Sequence, residues 1–319
     1  MKNVKTYTLD YISYLKGNKE INIKMLHSLN NYLDMIKNNS NIICPIFRGS
    51  NYVGNNILDF KIKVFDNYKK VYVNYIKPKK NRISLTSENE NDSLINLWTS
   101  NNSDWKEYPS RKYNANICTS DYEYAEEFGT CQIVIPLNFQ DTKFGICPNE
   151  DMIFSFSKRI NTHLFSDLIK NLLRHTTNTF NIGNLFQSYE QIIDILNYIQ
   201  TWFEKIRNDN NFDKKSFLSK LDLIEQNMFL EMYNLQNNTT IFDYFANKTN
   251  PEINGFKSCK NIIELFNIIK NKKINGNEIW FNGDFVSIIV DTDFYYTLTN
   301  KPNLYIQLIE DTINNIKKK

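Results

Sequence analysis

Residues 114–137 read NANICTSDYEYAEEFGTCQIVIPL, and this stretch has the pattern of a strand, a short helix and a second strand. Asn116–Thr119 is predicted to end the first strand. Ser120 or Asp121 is predicted to cap the helix, because both side chains can accept hydrogen bonds from the free N–H groups of a first turn. Cys131–Leu137, rich in β-branched residues, forms the second strand. The segment therefore indicates a fold that mixes helices and strands.

The segments before it continue this mixture. Apolar residues at three- and four-residue steps predict a helix over residues 5–37. A short apolar run predicts a strand at 42–48, and alternating residues predict strands at 59–66 and 70–76, joined by a turn at Asn67-Tyr68. One long helix is thus expected ahead of three strands.

The rest of the chain separates into a helical and a mixed part. Residues 80–114, with Trp98 and Trp105, are polar and irregular and are predicted as a loop. Strands are predicted at 142–148 and 152–156, and two more flank Asn282-Gly283 within 275–291. Amphipathic helices are predicted between 161 and 271, at 163–175, 188–208, 215–235 and 258–271. A final helix is predicted at 303–316. Because Asn-Gly strongly favours a two-residue turn, 275–291 is expected to be a hairpin.

Composition excludes several classes of protein. The 319 residues carry a net charge of +3, which is too small to indicate nucleic-acid binding, including binding through the aromatic and basic segment 62–82. No apolar run is long enough for a membrane span, and the five cysteines show no CxxC spacing, so a soluble cytoplasmic protein with reduced thiols is expected. Three histidines without neighbouring ligands argue against a metal site, and Gly-rich phosphate-binding loops are absent.

Three short motifs remain, and all three contain residue types that carry chemistry. They are PIFRGS at 45–50, CTSDYEYAEEFGTCQIVIPL at 118–137, and EIWFNGDFVSI at 278–288. The first places an arginine at a strand end, the second joins hydroxyl residues to a short helix, and the third begins with an acid. In a chain whose basic residues are mostly lysine, an arginine at a strand end indicates a planar, bidentate anionic partner.

In this order the motifs resemble those of the mono-ADP-ribosyltransferase superfamily, in its arginine–serine–glutamate branch of toxins and phage-encoded enzymes. That branch has an aromatic-Arg-Gly strand end, a Ser-Thr-Ser strand followed by a helix with an A-x-x-F pattern, here Ala125 and Phe128, and a catalytic Glu that starts a hairpin. The resemblance implies an α+β fold with an ADP-ribosyltransferase-like split β-sheet core. The segments would be an N-terminal helical segment, the β core, a helical insertion, and a hairpin with a C-terminal helix that completes the core (residues 1–40, 41–160, 161–271 and 272–319).

The resemblance also implies the function, the cofactor and the site. The chain would be an NAD-dependent mono-ADP-ribosyltransferase of viral or phage origin that modifies a host protein, in the host cytoplasm or from the virion. Glu278, Arg48 and Ser120 would be catalytic, and NAD would be bound by Arg48, Gly49, Thr119, Ser120 and Trp280. A carboxylate stabilises the oxocarbenium-like cation that forms as nicotinamide leaves, and a guanidinium holds the pyrophosphate.

The sequence departs from the branch at two positions and leaves alternatives open. Cys118 replaces the first serine, and Gly276 stands two residues before Glu278, where many members carry Glu or Gln. Asp151, which would share a strand face with Asn149, is a rival acid closer in sequence to the serine motif. The alternative function is a catalytically inactive protein of the same fold that serves in an interaction or in a virion. The oligomeric state is left open.

Overall fold

The computed structural model of this protein describes residues 4–50, 58–64, 67–77, 90–111, 115–150, 152–156, 162–176, 185–236, 239–272, 276–290 and 292–318. The chain divides into two compact units. Unit 1 contains Met1–Pro78, Asn116–Phe144 and Cys259–Lys319, and unit 2 contains Lys79–Ala115 and Gly145–Ser258. Each unit is therefore assembled from segments that are far apart in sequence.

The described chain is mixed α and β. Its helices are α1 (Val4–Asn38), α2 (Glu90–Asn101), α3 (Tyr122–Glu126), α4 (Met152–Phe156), α5 (Thr162–Thr176), α6 (Tyr189–Arg207), α7 (Lys214–Leu218), α8 (Leu223–Tyr233), α9 (Ile241–Lys248), α10 (Pro251–Asn254), α11 (Ile262–Lys272), α12 (Thr292–Asn300) and α13 (Pro302–Lys317), with a 3-10 helix at Ser103–Trp105. Its strands are β1 (Phe47–Ser50), β2 (Leu58–Val64), β3 (Asn67–Ile76), β4 (Ala115–Thr119), β5 (Thr130–Pro136), β6 (Phe144–Ile146), β7 (Lys257–Cys259), β8 (Glu278–Asn282) and β9 (Phe285–Val290).

One open sheet, antiparallel in its pairing, organises unit 1. Its strand order is β2-β3-β9-β5-β1-β4-β8-β6-β7. A row of opposed residues crosses five strands, from Val73 through Ile288, Ile133 and Phe47 to Thr119. The four apolar members are fully buried. This row is the centre of the core, because burial of apolar surface is the main stabilising contribution.

The sheet is almost interrupted between β1 and β4. Strand β1 pairs with β5 over all four of its residues but with β4 only at Phe47–Thr119. Strands β8 and β9 are four strand spacings apart, about 19 Å in a flat sheet, although only Gly283 and Asp284 connect them. Three Cα steps reach at most about 11 Å. The sheet therefore curves strongly between β9 and β8, and this part of it includes the single pair shared by β1 and β4.

The predicted hairpin within 275–291 is consequently wrong, although both of its strands exist. Strand β9 pairs with β3 on one side and with β5 on the other, so no edge of it is left for β8, which lies beside β4. Gly283 has a positive φ of 110°, a backbone conformation that glycine tolerates. Asn282 and Gly283 therefore do not form a hairpin turn. Gly283 and Asp284 connect β8 to β9, which lie apart in the sheet, and are called the crossing segment below.

Helix α3 packs directly against β1 and requires a glycine there. A Cβ atom at Gly49 would lie 1.9 Å from the carbonyl oxygen of Ala125 and 2.9 Å from Cβ of Phe128. Asp121 accepts hydrogen bonds from the N–H groups of Glu123 and Tyr124 and is the N-cap of this helix, so Ser120 is not the cap. The first two motifs of the sequence therefore interlock through backbone packing.

Three further helices cover the apolar face of the sheet in unit 1. The ring of Tyr295 in α12 meets Phe47 edge to face at 5.6 Å, and its hydroxyl donates to the carbonyl of Cys131. Tyr32 in α1 and Tyr305 in α13 share a buried hydrogen bond of 2.9 Å between their hydroxyls. These contacts connect both ends of the chain to the central row of the sheet.

Unit 2 is largely helical and has an aromatic core. Trp98 in α2 lies 4.6 Å from the ring of Phe245 in α9, which stacks on Phe165 of α5 at 4.5 Å. A second group joins Trp105 to Phe256 at 4.9 Å. An amphipathic helix buries residues that are three and four positions apart. The sequence of this unit therefore shows mainly the helical spacing of apolar residues.

Several sequence predictions for unit 1 need correction. The strand predicted at 42–48 begins only at Phe47, because Pro45 has no N–H to donate to a neighbouring strand. Asn67 and Tyr68, predicted as a turn, are the first residues of β3 and pair with β2. Helix α12 was not predicted, whereas α1, β4, α3, β5 and α13 are confirmed to within a few residues.

Unit 2 also differs from its predicted pattern. The loop predicted at 80–114 contains α2 and the 3-10 helix, and Leu94, Leu97 and Trp98 form a fully buried stripe on α2. Residues 152–156, predicted as a strand, form α4. Five-residue apolar runs do not distinguish a strand from a buried helical turn. The helix pattern at 215–235 comprises α7 and α8, α9 and α10 were not predicted, and α5, α6 and the unit 1 helix α11 are confirmed.

Replacement of Gly49 by alanine is expected to destabilise unit 1. The added methyl group meets the backbone of α3, which cannot rotate away, and overpacking of this kind costs about 1–3 kcal/mol. Urea unfolding followed by circular dichroism would measure the change. Gly276→Ala is the control, because its Cβ meets nothing within 4 Å and only its positive φ of 74° opposes it. A Gly49→Ala protein as stable as the Gly276→Ala protein would contradict the packing argument.

The stability of unit 1 is expected to fall at alkaline pH. Burial raises the pKa of Cys131 to about 12, whereas an exposed thiol has a pKa of about 8.5. Because the folded pKa is the higher one, this contribution is complete below about pH 8.5 and is lost as the pH rises toward 12, by on the order of 1 kcal/mol per pH unit. Urea midpoints between about pH 8 and pH 10.5 should show a shallower decline for Cys131→Ala than for the natural protein. Identical slopes would contradict the prediction.

Candidate functional site

The three sequence motifs lie on neighbouring strands of unit 1. Arg48 is in β1, Thr119 ends β4, and Glu278 begins β8, and these strands are consecutive in the sheet. The pair Phe47–Thr119 places the start of β1 beside the end of β4. Arg48 and Glu278, which are more than 200 positions apart in sequence, are thus brought to strands on either side of the strand that carries Thr119.

The direction of β8 brings its first residue toward the hydroxyl residues. The side-chain amide of Asn116, near the start of β4, donates to the carbonyl oxygen of Gly283 at 2.8 Å. Gly283 directly follows β8. Strand β8 therefore runs back along β4, and Glu278 lies toward the end of β4 that carries Thr119 and Ser120.

Arg48 is held by a neutral partner. Its Nη1 atom donates to Oδ1 of Asn116 at 3.2 Å, and its guanidinium carbon lies 5.8 Å from the ring centre of Phe285. Within the described ranges, no carboxylate is within ion-pair distance of Arg48. Since a half-buried guanidinium without an acidic partner retains its attraction for anions, Arg48 has the properties of an anion-binding residue.

The hydroxyl residues are buried at the turn after β4. Thr119 has an exposed fraction of 3% and Ser120 of 9%. The hydroxyl oxygen of Thr119 accepts from the N–H of Asp121 at 3.2 Å, which fixes the turn into α3. Cys118 is also buried, with an exposed fraction of 3%. Because Thr119 is opposite Phe47, its side chain lies on the face of the apolar row, whereas Arg48 lies on the other face, so the structure does not bring Thr119 and Arg48 to one face of the sheet.

The acid and the residues around it are largely enclosed. Glu278 has an exposed fraction of 8%, and Trp280 on the same strand is fully buried. Gly276, two residues before the acid, has a positive φ of 74°. Asn149 lies in a bend after β6 and not in a strand, so it does not form the strand face predicted for the rival pair. Asp151 itself lies outside the described residues.

A second group of polar contacts holds the crossing segment between β8 and β9. Oδ2 of Asp284 is 3.2 Å from Nζ of Lys24 in α1 and accepts a short hydrogen bond from the hydroxyl of Tyr75 in β3. Burial, followed by this hydrogen bond, raises the pKa of Tyr75. Together with the Asn116–Gly283 bond, these contacts hold both residues of the crossing.

Polar residues also accompany Arg48 on its face of the sheet. Arg48 is opposite Gln132, and Ser287, opposite Asn74, donates its hydroxyl to Oε1 of Gln132 at 2.6 Å. Gln132, Ser287 and Asn74 are at most 2% exposed, and among the described residues neither side-chain atom of Asn74 has a hydrogen-bond partner. This face therefore differs from the opposite one, which carries the apolar row.

Sequence reasoning did not identify Asn116, Asp284, Lys24 or Tyr75. Asn116 is two residues before Cys118, on the same strand face, but in an Asn-rich chain an asparagine does not stand out. Asp284 follows an Asn-Gly pair that suggested an ordinary turn. Their roles depend on contacts between residues that are 68 to 260 positions apart.

Comparisons with protein-family models, with curated proteins and with solved structures found no match to this chain. In the part of the chain that the structure describes, no group of three or more His, Cys, Asp and Glu side chains could hold a metal ion. None of the described helices combines the length and the apolar character needed to cross a bilayer.

Replacement of Asp284 by asparagine is expected to destabilise the crossing segment. The change keeps the shape and removes the charge that Lys24 and Tyr75 contact, and the loss of hydrogen bonds to a charged acceptor costs about 1–3 kcal/mol. Urea unfolding would measure it. Glu310→Gln is the control, because the Lys37–Glu310 pair is about half exposed and should contribute at most about 1 kcal/mol. Equal effects of the two replacements would contradict the role of Asp284.

Proposed function

We propose that this protein is an NAD-dependent mono-ADP-ribosyltransferase that modifies a protein acceptor. The observation that carries the proposal is the strand order β1-β4-β8, because it brings the Arg48, Thr119–Ser120 and Glu278 motifs onto adjacent strands. The resemblance also implies a split β-sheet core, but the hairpin that it implies after Glu278 is not formed, because β9 pairs with β3 and β5.

Each residue has a defined chemical task in this proposal. Arg48, which has no acidic partner among the described residues, binds the pyrophosphate of NAD with a bidentate fork. Glu278 stabilises positive charge on the ribose as the bond to nicotinamide breaks, and its enclosed position strengthens that attraction. The acceptor then attacks the ribose carbon, and Glu278 orients it.

The remaining predicted residues support this arrangement. Thr119 and Ser120 hold the end of β4 beside Glu278, and Gly49 lets α3 approach β1. Trp280, which the resemblance predicts to bind NAD, is fully buried on the strand of Glu278. Tyr52, an aromatic residue close to Arg48 in sequence that could stack on nicotinamide, lies outside the described residues.

A second candidate function is a non-catalytic interaction protein with the same fold. It is favoured by the enclosure of Thr119, Ser120 and Glu278, all less than 10% exposed, and by Cys118 and Gly276 at the two positions where the sequence departs from the ADP-ribosyltransferase branch. Under this alternative the residues of the site would only stabilise the fold. The two candidates differ in whether NAD is bound and cleaved.

Incubation with labelled NAD would separate the two candidates. We expect the natural protein to release nicotinamide and to transfer label to protein in a host extract, and Glu278→Gln to lower kcat by about 100-fold or more. Arg48→Lys is expected to raise KM for NAD by about tenfold, since lysine lacks the bidentate fork. Asp151→Asn tests the rival acid and should leave both constants unchanged. Equal rates for the natural and Glu278→Gln proteins would contradict the assignment of the acid.

A further inference from the structure

Asn116 occupies a central position that no motif of the sequence indicates. It is fully buried in β4, and its two side-chain atoms bind in opposite directions. Oδ1 accepts from the guanidinium of Arg48 at 3.2 Å, and Nδ2 donates to the carbonyl of Gly283 at 2.8 Å. One amide thus joins the strand of the arginine to the segment that follows the strand of Glu278.

Only a neutral amide makes both contacts without altering the charge of the arginine. A carboxylate at position 116 could accept from Arg48 but could not donate to Gly283, and it would compensate the positive charge. An apolar residue would leave both the guanidinium and the carbonyl without this partner. Asparagine therefore orients Arg48 and leaves its charge available.

We propose that Asn116 is a positioning residue that holds Arg48 ready for the pyrophosphate of NAD and fixes the crossing segment relative to it. This inference rests on the proposed function, because it names a role within the same site. The pyrophosphate is separated by a ribose from the bond that breaks. The contribution of Asn116 therefore concerns the binding of NAD more than the chemical step, and it affects Kd and KM more than kcat.

The test is Asn116→Asp, which changes the side chain least in size and places a carboxylate against Arg48. Calorimetry with NAD and with ADP-ribose, together with NAD hydrolysis kinetics, would give Kd, KM and kcat. We expect Kd and KM to rise about tenfold or more, with kcat within about threefold of the natural protein. Asn96→Asp is the matched control in unit 2, since Oδ1 of Asn96 accepts from Nε of Arg111 at 3.0 Å. The control should leave all three constants unchanged.

The possible outcomes separate this inference from the proposed function. If the natural protein binds neither NAD nor ADP-ribose, the proposed function fails and the inference falls with it. If the natural protein binds NAD and Asn116→Asp binds it equally well, or loses kcat without a change in Kd, only the inference is overturned. Circular dichroism would check folding, and Asn116→Ser would replace a variant that does not fold, with a rise in Kd again expected. Failure of both variants to fold would assign Asn116 to folding alone and would reject the positioning role.

Discussion

The short connection between β8 and β9 constrains the whole of unit 1. Two residues cannot span four strand spacings of a flat sheet, so the sheet must curve strongly between β9 and β8, a part that includes the single pair Phe47–Thr119 of β1 and β4. Buried polar side chains lie in the same part of the sheet, and Asn116 in β4 binds both Arg48 of β1 and Gly283 of the connection.

Most buried polar groups in proteins have hydrogen-bond partners, and here distant segments supply several of them. Asn116 binds Arg48 on one side and Gly283 on the other, while Asp284 binds Lys24 and Tyr75. One of these bonds joins two strands, two join a strand to the connection between β8 and β9, and one joins this connection to α1. The side chain of Asn116 that joins β4 to this connection is therefore the same one that accepts a hydrogen bond from Arg48.

The two faces of the sheet divide stability and chemistry between them. One face carries the apolar row through Phe47, Ile133 and Ile288, which α12 covers with Tyr295. The opposite face carries Arg48 and the buried polar residues beside it. Because side chains alternate along a strand, consecutive residues such as Phe47 and Arg48 serve different purposes. This division explains how a well-packed core lies directly beneath a charged group that has no acidic partner among the described residues.

Local pattern was sufficient for the elements whose residues interact with near neighbours in sequence. The apolar run of Cys131–Leu137 and the periodicity of α1 identified these elements, and the cap candidates Ser120 and Asp121 placed the start of α3 to within one residue. Pattern could not show that β8 and β9 are separated, that α2 buries Trp98, or that Asn116 joins two motifs. Those features depend on which distant segments compete for the same strand edge and which buried groups need partners. The sequence by itself determined the mixed α and β character and the three motifs, and only tertiary structure decided their adjacency, because strand pairing is a non-local choice.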